Sequence, residues 1–180
     1  MNNRFENISM IGRMAYVVMC VERYLTEKYP KRDWEPISKI MWESTSKDWA
    51  TWSSLYSVYI PDVLLEYDEY SEDEFGGTFD EITYYRLLDL YEGITDGSED
   101  NPEDEVNYLL NKPFEMAMVY EGTKIGDGEE SYNIIDETEH ILKDNNIQLP
   151  DEELVAFSKA SERNGWGNYF NGEFLSIILH

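Results

Sequence analysis

The sequence predicts an all-α fold: a single helical domain, 1–180, built as a bundle of about seven or eight helices, with one short β-hairpin as the only β structure it leaves room for. Three observations predict this. Apolar residues recur at three- and four-residue spacing along most of the chain. Proline, glycine and capping residues cut those runs into helix-sized pieces. Hydrophobic residues are 42% of the 180 and aromatics 14%, enough to fill one packed interior.

From Asn7 to about Tyr29, residues Ile8, Ile11, Ala15, Val18, Met19 and Leu25 keep helical register. Met14, Val17, Val21 and Tyr24 widen the stripe, so this helix is expected to pack on more than one side. Pro30 ends it. Asp33 and Pro36 start a second helix faced by Ile37, Ile40 and Met41. Asp48 caps a third, which carries Trp49, Trp52, Leu55, Tyr56 and Tyr59 and stops near Pro61. Its aromatic stripe is read as core.

VLLEY (63–67) predicts a short helix, and Gly76-Gly77 breaks the chain. Thr78-Phe79-Asp80-Glu81 fits a capping box for a helix using Phe79, Ile82, Leu87, Leu88 and Tyr91, with Gly93 as its stop. Asn101-Pro102 opens the next helix, through Val106, Leu109 and Leu110, with Pro113 as a kink or division. FEMAMVYEG (114–122) alternates, so a strand is the alternative there; KIGDGEE (124–130) is a loop. Ile134, Ile135, Thr138, Ile141 and Leu142 define a helix ending near Asn145-Asn146. Pro150 and three following acids predict another, closing around Asn164-Gly165. The tail GWGNYFNGEFLSIILH turns compactly, then packs FLSIIL as a short helix or strand, which docks the C-terminus.

Charge is distributed unevenly. The formal net charge is −24. Residues 1–60 hold 7 acids and 8 bases, residues 61–155 hold 29 acids and 4 bases, and residues 156–180 hold 2 of each. A general solubility bias would acidify every exposed face, whereas here the whole excess falls in the middle. Its densest stretches are EYDEYSEDEF (66–75) and DGSEDNPEDE (96–105), each with six acids in ten residues. Such a field repels nucleic-acid phosphates and anionic lipid headgroups, and it attracts and steers a basic protein.

The chemistry of catalysis finds little support. The two histidines are His140 and His180, and there is no nucleophile elbow, P-loop or CxxC. An EF-hand loop starting at Asp96 would place Asn101 at the glycine position and Asn107 at the bidentate glutamate position, so it fails. Glu137-x-x-His140 matches one half of a di-iron bundle motif and lacks the second pair. A metal-carboxylate helical enzyme centred on Glu137 and His140 therefore stands as the enzymatic alternative. No cofactor and no resident metal are expected. The one cysteine, Cys20, lies in the apolar run AYVVMCV and is expected to be buried; with no secretory pattern and no long uncharged span, a cytoplasmic protein is expected.

In its size, its acidic middle and its interleaved tyrosines, the chain resembles the acidic all-α immunity proteins of bacterial toxin systems. That resemblance implies a non-enzymatic inhibitor which binds and occludes a basic protein toxin, without nucleic acid or membrane as a partner. Glu66, Asp68, Glu69, Glu72, Asp73, Glu74, Asp96, Glu99, Asp100, Glu103 and Asp104 would steer the partner, and Tyr67 and Tyr70 would anchor it. The alternative binding role is a nucleic-acid mimic that blocks DNA-binding proteins, which needs an elongated row of carboxylates rather than two clusters beside chain breakers.

Overall fold

The computed structural model describes residues 3–98, 101, 103–120, 125 and 128–180. Among them are eight α-helices: α1 (Met10–Lys28), α2 (Glu35–Trp42), α3 (Trp49–Tyr56), α4 (Pro61–Leu64), α5 (Glu72–Phe75), α6 (Glu81–Tyr91), α7 (Glu105–Tyr120) and α8 (Glu129–Asp144). No β-strand occurs among the described residues; a single antiparallel bridge joins Ile8 to Lys159. The expected all-α architecture is what forms, and residues 114–120 continue α7 rather than forming a strand.

α1 is the axis of the bundle. Every residue from Met10 to Glu22 is buried, because α7, α8, α2 and the turn at Glu43–Thr45 surround it. The broad apolar stripe is the sequence signature of that central position. Ser9 opens the helix, its Oγ accepting from the Gly12 amide at 3.1 Å. α3 begins as its cap predicts, with Asp48 accepting from the Thr51 amide at 2.9 Å, and it buries Trp49, Trp52 and Tyr56. Pro113 lies inside α7. Beside it, the Leu110 carbonyl takes the Tyr56 hydroxyl at 2.7 Å, a tertiary bond near the point where proline removes a helical donor.

Two charged residues of α1 are buried among neutral partners. Arg13 donates to the carbonyls of Phe5, Ile8 and Gly128 and to the hydroxyls of Ser131 and Tyr132, tying the N-terminal turn to the start of α8. Glu22 accepts from Trp42 Nε1 at 2.8 Å, Ser176 Oγ at 2.7 Å, the Ile177 amide at 2.9 Å and the Ser38 hydroxyl. The C-terminal tail is docked, and Glu22 takes two of its donors.

The structure corrects three boundaries. The cap of α6 is Asp80, which accepts from the Thr83 amide at 2.9 Å, so the Thr78 capping box does not form. α7 starts at Glu105 rather than at Asn101, with Asp104 accepting from the Asn107 amide at 3.0 Å. After Pro150 only the 3-10 turn Glu152–Val155 forms; residues 156–162 run irregularly. The reason is long-range pairing. The Ser9 amide donates to Ser158 O at 2.9 Å, and the Ala160 amide donates to Asn7 O at 3.0 Å, so these backbone groups are taken by the N-terminus.

Glu139 of α8 is another buried carboxylate. It accepts from Tyr16 and Lys143, each at 2.9 Å, and from Arg4. Burial alone would raise its pKa; the hydrogen bonds from Lys143, Tyr16 and Arg4 outweigh burial and hold it below the ordinary 4.5. A depressed folded value means that this contribution to stability is complete above the unfolded value and is lost as pH falls through the folded one. Glu139→Gln is therefore expected to reduce the fall in urea midpoint between neutral and acid pH, which equilibrium unfolding across that range measures.

Candidate functional site

The acidic middle is mounted on a cluster of five rings. Phe75, fully buried, stacks on Phe79 at 5.2 Å and meets Tyr67 at 4.9 Å, Tyr84 at 5.3 Å and Tyr70 at 6.1 Å. Two hydroxyls pin the backbone between them. Tyr84 donates to Tyr67 O at 2.7 Å, and Tyr70 lies within reach of both Phe79 O (3.1 Å) and Glu72 Oε2 (2.8 Å). The hydrogen bond to Glu72 pushes the Tyr70 phenol up to about 12, and burial with the charge of Glu74 raises that of Tyr67, so both stay protonated donors at neutral pH. The rings face inward, and the carboxylates between them are left in water. Three of those acids fill the first turn of α5, where the helix dipole favours them.

Glu66, Asp68, Glu69, Glu72, Asp73, Glu74, Asp96 and Glu103 are exposed, as steering residues must be. None of these eight is in an ion pair among the described residues. Three cations of the same segment are engaged elsewhere. Arg86 pairs with Asp33, Lys112 with Glu115 and Glu137, and Lys143 with Glu139. Tyr67 and Tyr70 are half-buried on Phe75, so their rings hold the local fold instead of projecting as anchors. Asp104 departs from expectation altogether. It is buried just ahead of α7, accepting from Thr95 Oγ1 at 2.5 Å and the amides of Asp96 (3.2 Å) and Asn107 (3.0 Å). Glu99 and Asp100 lie outside the described residues.

The two acidic stretches meet. Gly97 has φ +67, and a Cβ there would stand 2.6 Å from Pro61 O, so glycine alone lets this loop close on the start of α4. Asp62, Leu65, Glu66, Asp96 and Gly97 then line one cleft of about 220 Å³. Asp62 binds Asn111 Nδ2 through Oδ2 (3.0 Å), while its Oδ1 is buried and has no hydrogen-bond partner among the described residues. Nothing local in the sequence singles out Asp62.

Two apolar residues of α6 are also exposed: Ile82, which the sequence places in the stripe, and Tyr85, which it does not single out. Ile82 is 78% exposed and Tyr85 47%, one turn apart on α6, with exposed Glu81 beside them. The buried face of α6 is instead Tyr84, Leu87, Leu90 and Tyr91. The three- and four-residue spacing of Tyr84, Leu87 and Tyr91 was the available signal, and taking Ile82 into the stripe left Tyr84 out.

The Glu137-x-x-His140 pair does not assemble a ligand set. Glu137 accepts from Lys112 at 2.8 Å and Tyr108 at 3.2 Å, and exposed His140 stands 3.3 Å from Asp144. Among the described residues no group of three or more His, Cys, Asp or Glu is placed to hold a metal ion. Cys20 is buried, and burial raises its thiol pKa. No helix among the described residues is long and apolar enough to cross a membrane. No family model, no curated protein and no solved structure matches this chain.

Proposed function

We propose that this protein is a non-enzymatic inhibitor of the immunity type, acting in the cytoplasm, which binds a basic protein toxin through its acidic face and occludes the toxin's working surface. The observation that carries this reading is the convergence of the stretches around Glu66 and Asp96 on one cleft, with neighbouring carboxylates exposed and free of ion pairs among the described residues. Uncompensated like charge strains a fold, and a cationic partner relieves that strain on binding. The five-ring cluster supplies a rigid mount, so little ordering entropy is lost when the partner docks. Ile82 and Tyr85 offer the apolar contact that charge alone does not provide. A nucleic-acid mimic would need carboxylates in a long regular row; here they sit on the four-residue α5 and the turns around it.

The test is capture of a basic protein from source cells at low ionic strength, followed by association kinetics with the purified partner. Glu72→Gln/Asp73→Asn/Glu74→Gln is expected to slow association about tenfold and to flatten its salt dependence, with an unchanged melting temperature. Unaltered kinetics in that variant would remove the assigned face. Competition with DNA for many unrelated DNA-binding proteins would favour the mimic instead.

A further inference from the structure

A second cleft has the opposite character. Ile11, Trp49, Ala50, Arg163, Trp166 and Tyr169 line it, with Asp48, around about 200 Å³. It is built where the C-terminal turn folds back onto the starts of α1 and α3, fixed by the Ile11 amide donating to Trp166 O at 3.1 Å. Trp49 and Trp166 meet edge to face at 5.1 Å, giving it aromatic walls.

Two side chains of this cleft keep N–H donors that no described residue accepts from. Four tryptophans donate their indole N–H inside the protein: Trp34 to Tyr29 O, Trp42 to Glu22, Trp49 to Ser44 O and Trp52 to Ile40 O. Trp166 has no acceptor for its own among the described residues. Arg163 is the second. In a chain of 38 acids its guanidinium is in no ion pair among the described residues, and it makes one 3.3 Å bond to Gly167 O while lying over the Tyr169 ring at 4.4 Å. Its backbone is held at φ +44, followed by Asn164 at +56 and Gly165 at +96. An arginine rarely adopts that region, and such positions concentrate where a side chain is being aimed.

We propose that this cleft binds a small aromatic monocarboxylate. Its ring lies against Ile11, Trp49 and Ala50, and its carboxylate accepts from Arg163 and the Trp166 indole N–H. The volume is below that of drug-sized ligand pockets, which limits the ligand to about one ring. A guanidinium and an indole N–H together match a carboxylate, since both only donate. Asp48 disfavours a second negative charge on the ligand. The surrounding segment 156–180, with two acids and two bases, does not repel an anion as the middle of the chain does.

Saturation-transfer NMR on the full chain with 3-phenylpropionate and 3-phenylpropanamide tests this. The acid is expected to bind at millimolar concentration or better, about tenfold more tightly than the amide. Arg163→Gln should remove the preference for the acid, Trp166→Phe should weaken acid binding a few-fold, and Ala50→Leu should block both probes by filling the space. Matched near-ultraviolet circular dichroism establishes that each variant is folded; Arg163 and Ala50 are both exposed, so either serves if Trp166→Phe is not. Equal binding of acid and amide, acid binding that survives Ala50→Leu, or no transfer from the acid to the native chain would overturn the assignment.

Discussion

Glu22→Ala is expected to destabilise the protein by about 3–5 kcal/mol and to release the C-terminal tail. The side chain is fully buried in the middle of α1 and accepts from four donors on two separate parts of the chain, α2 and the C-terminal tail. Truncation leaves the Trp42 indole N–H and the Ile177 amide without acceptors, and each such orphan costs about 1–3 kcal/mol. The serine hydroxyls can rotate to other acceptors and soften the loss. Ser176 matters twice, because its Oγ donates to Glu22 while accepting from the amides of Ile178 (3.1 Å) and Leu179 (3.0 Å). Once Glu22 is gone that arrangement loses its anchor. Chemical denaturation measures the stability. Hydrogen exchange measures the rest: amides 177–179 are expected to exchange far faster than those of α7, which the substitution leaves in place. Glu22→Gln retains the size and one acceptor oxygen, so it is expected to lie between wild type and Ala on both measures. Protection of 177–179 unchanged in Glu22→Ala would show that apolar packing of Ile178 and Leu179, and not the carboxylate, holds the tail.

The same residue marks the limit of what was legible from the chain alone. The stripe of α1 announced a helix buried on several sides, and Asp48 announced the start of α3; both signals are local and strong, and both elements form as expected. Glu22 and Arg13 lie within that apolar run, and no local pattern names the serines, tryptophan, carbonyls and tyrosine that satisfy them. α6 forms with Leu87 and Tyr91 on its buried face as expected, and Ile82 alone of the expected stripe is exposed. Thr78 and Asp80 both satisfy the chemistry of a cap; in the fold the Thr78 and Phe79 amides donate to Phe75 O in the turn that follows α5, and Asp80 caps α6. The segment after Pro150 has helical acids but gives its backbone to Asn7 and Ser9, a pairing across about 150 residues that no local pattern encodes. For the candidate site, the positions of exposed acids followed from their density, whereas their meeting at one cleft depends on Gly97 approaching Pro61 O, and the inward turn of Tyr67 and Tyr70 depends on Phe75.

Trp52→Ala is the second large effect, about 3–5 kcal/mol, and it arises from packing rather than from polar satisfaction. Trp52 is fully buried and stacks on Tyr56, with centroids 4.7 Å apart and planes 13° from parallel. Removing the indole opens a cavity, strands the Ile40 carbonyl that it reached at 2.7 Å, and leaves Tyr56 unsupported on one face. Tyr56 in turn donates to Leu110 O beside Pro113, so α3 and α7 loosen together. Trp52→Phe separates these contributions. It keeps most of the volume and the stacking partner and loses the hydrogen bond, so its expected cost is about 1–2 kcal/mol. Urea midpoints of the two variants measure the difference. Because the rings that mount the acidic face are a different set, centred on Phe75, the folded fraction of Trp52→Phe is expected to associate with a basic partner at the native rate. A large drop in that rate would mean that the position of α3 governs the acidic face, and that the charge distribution alone is an insufficient account of how the partner is met.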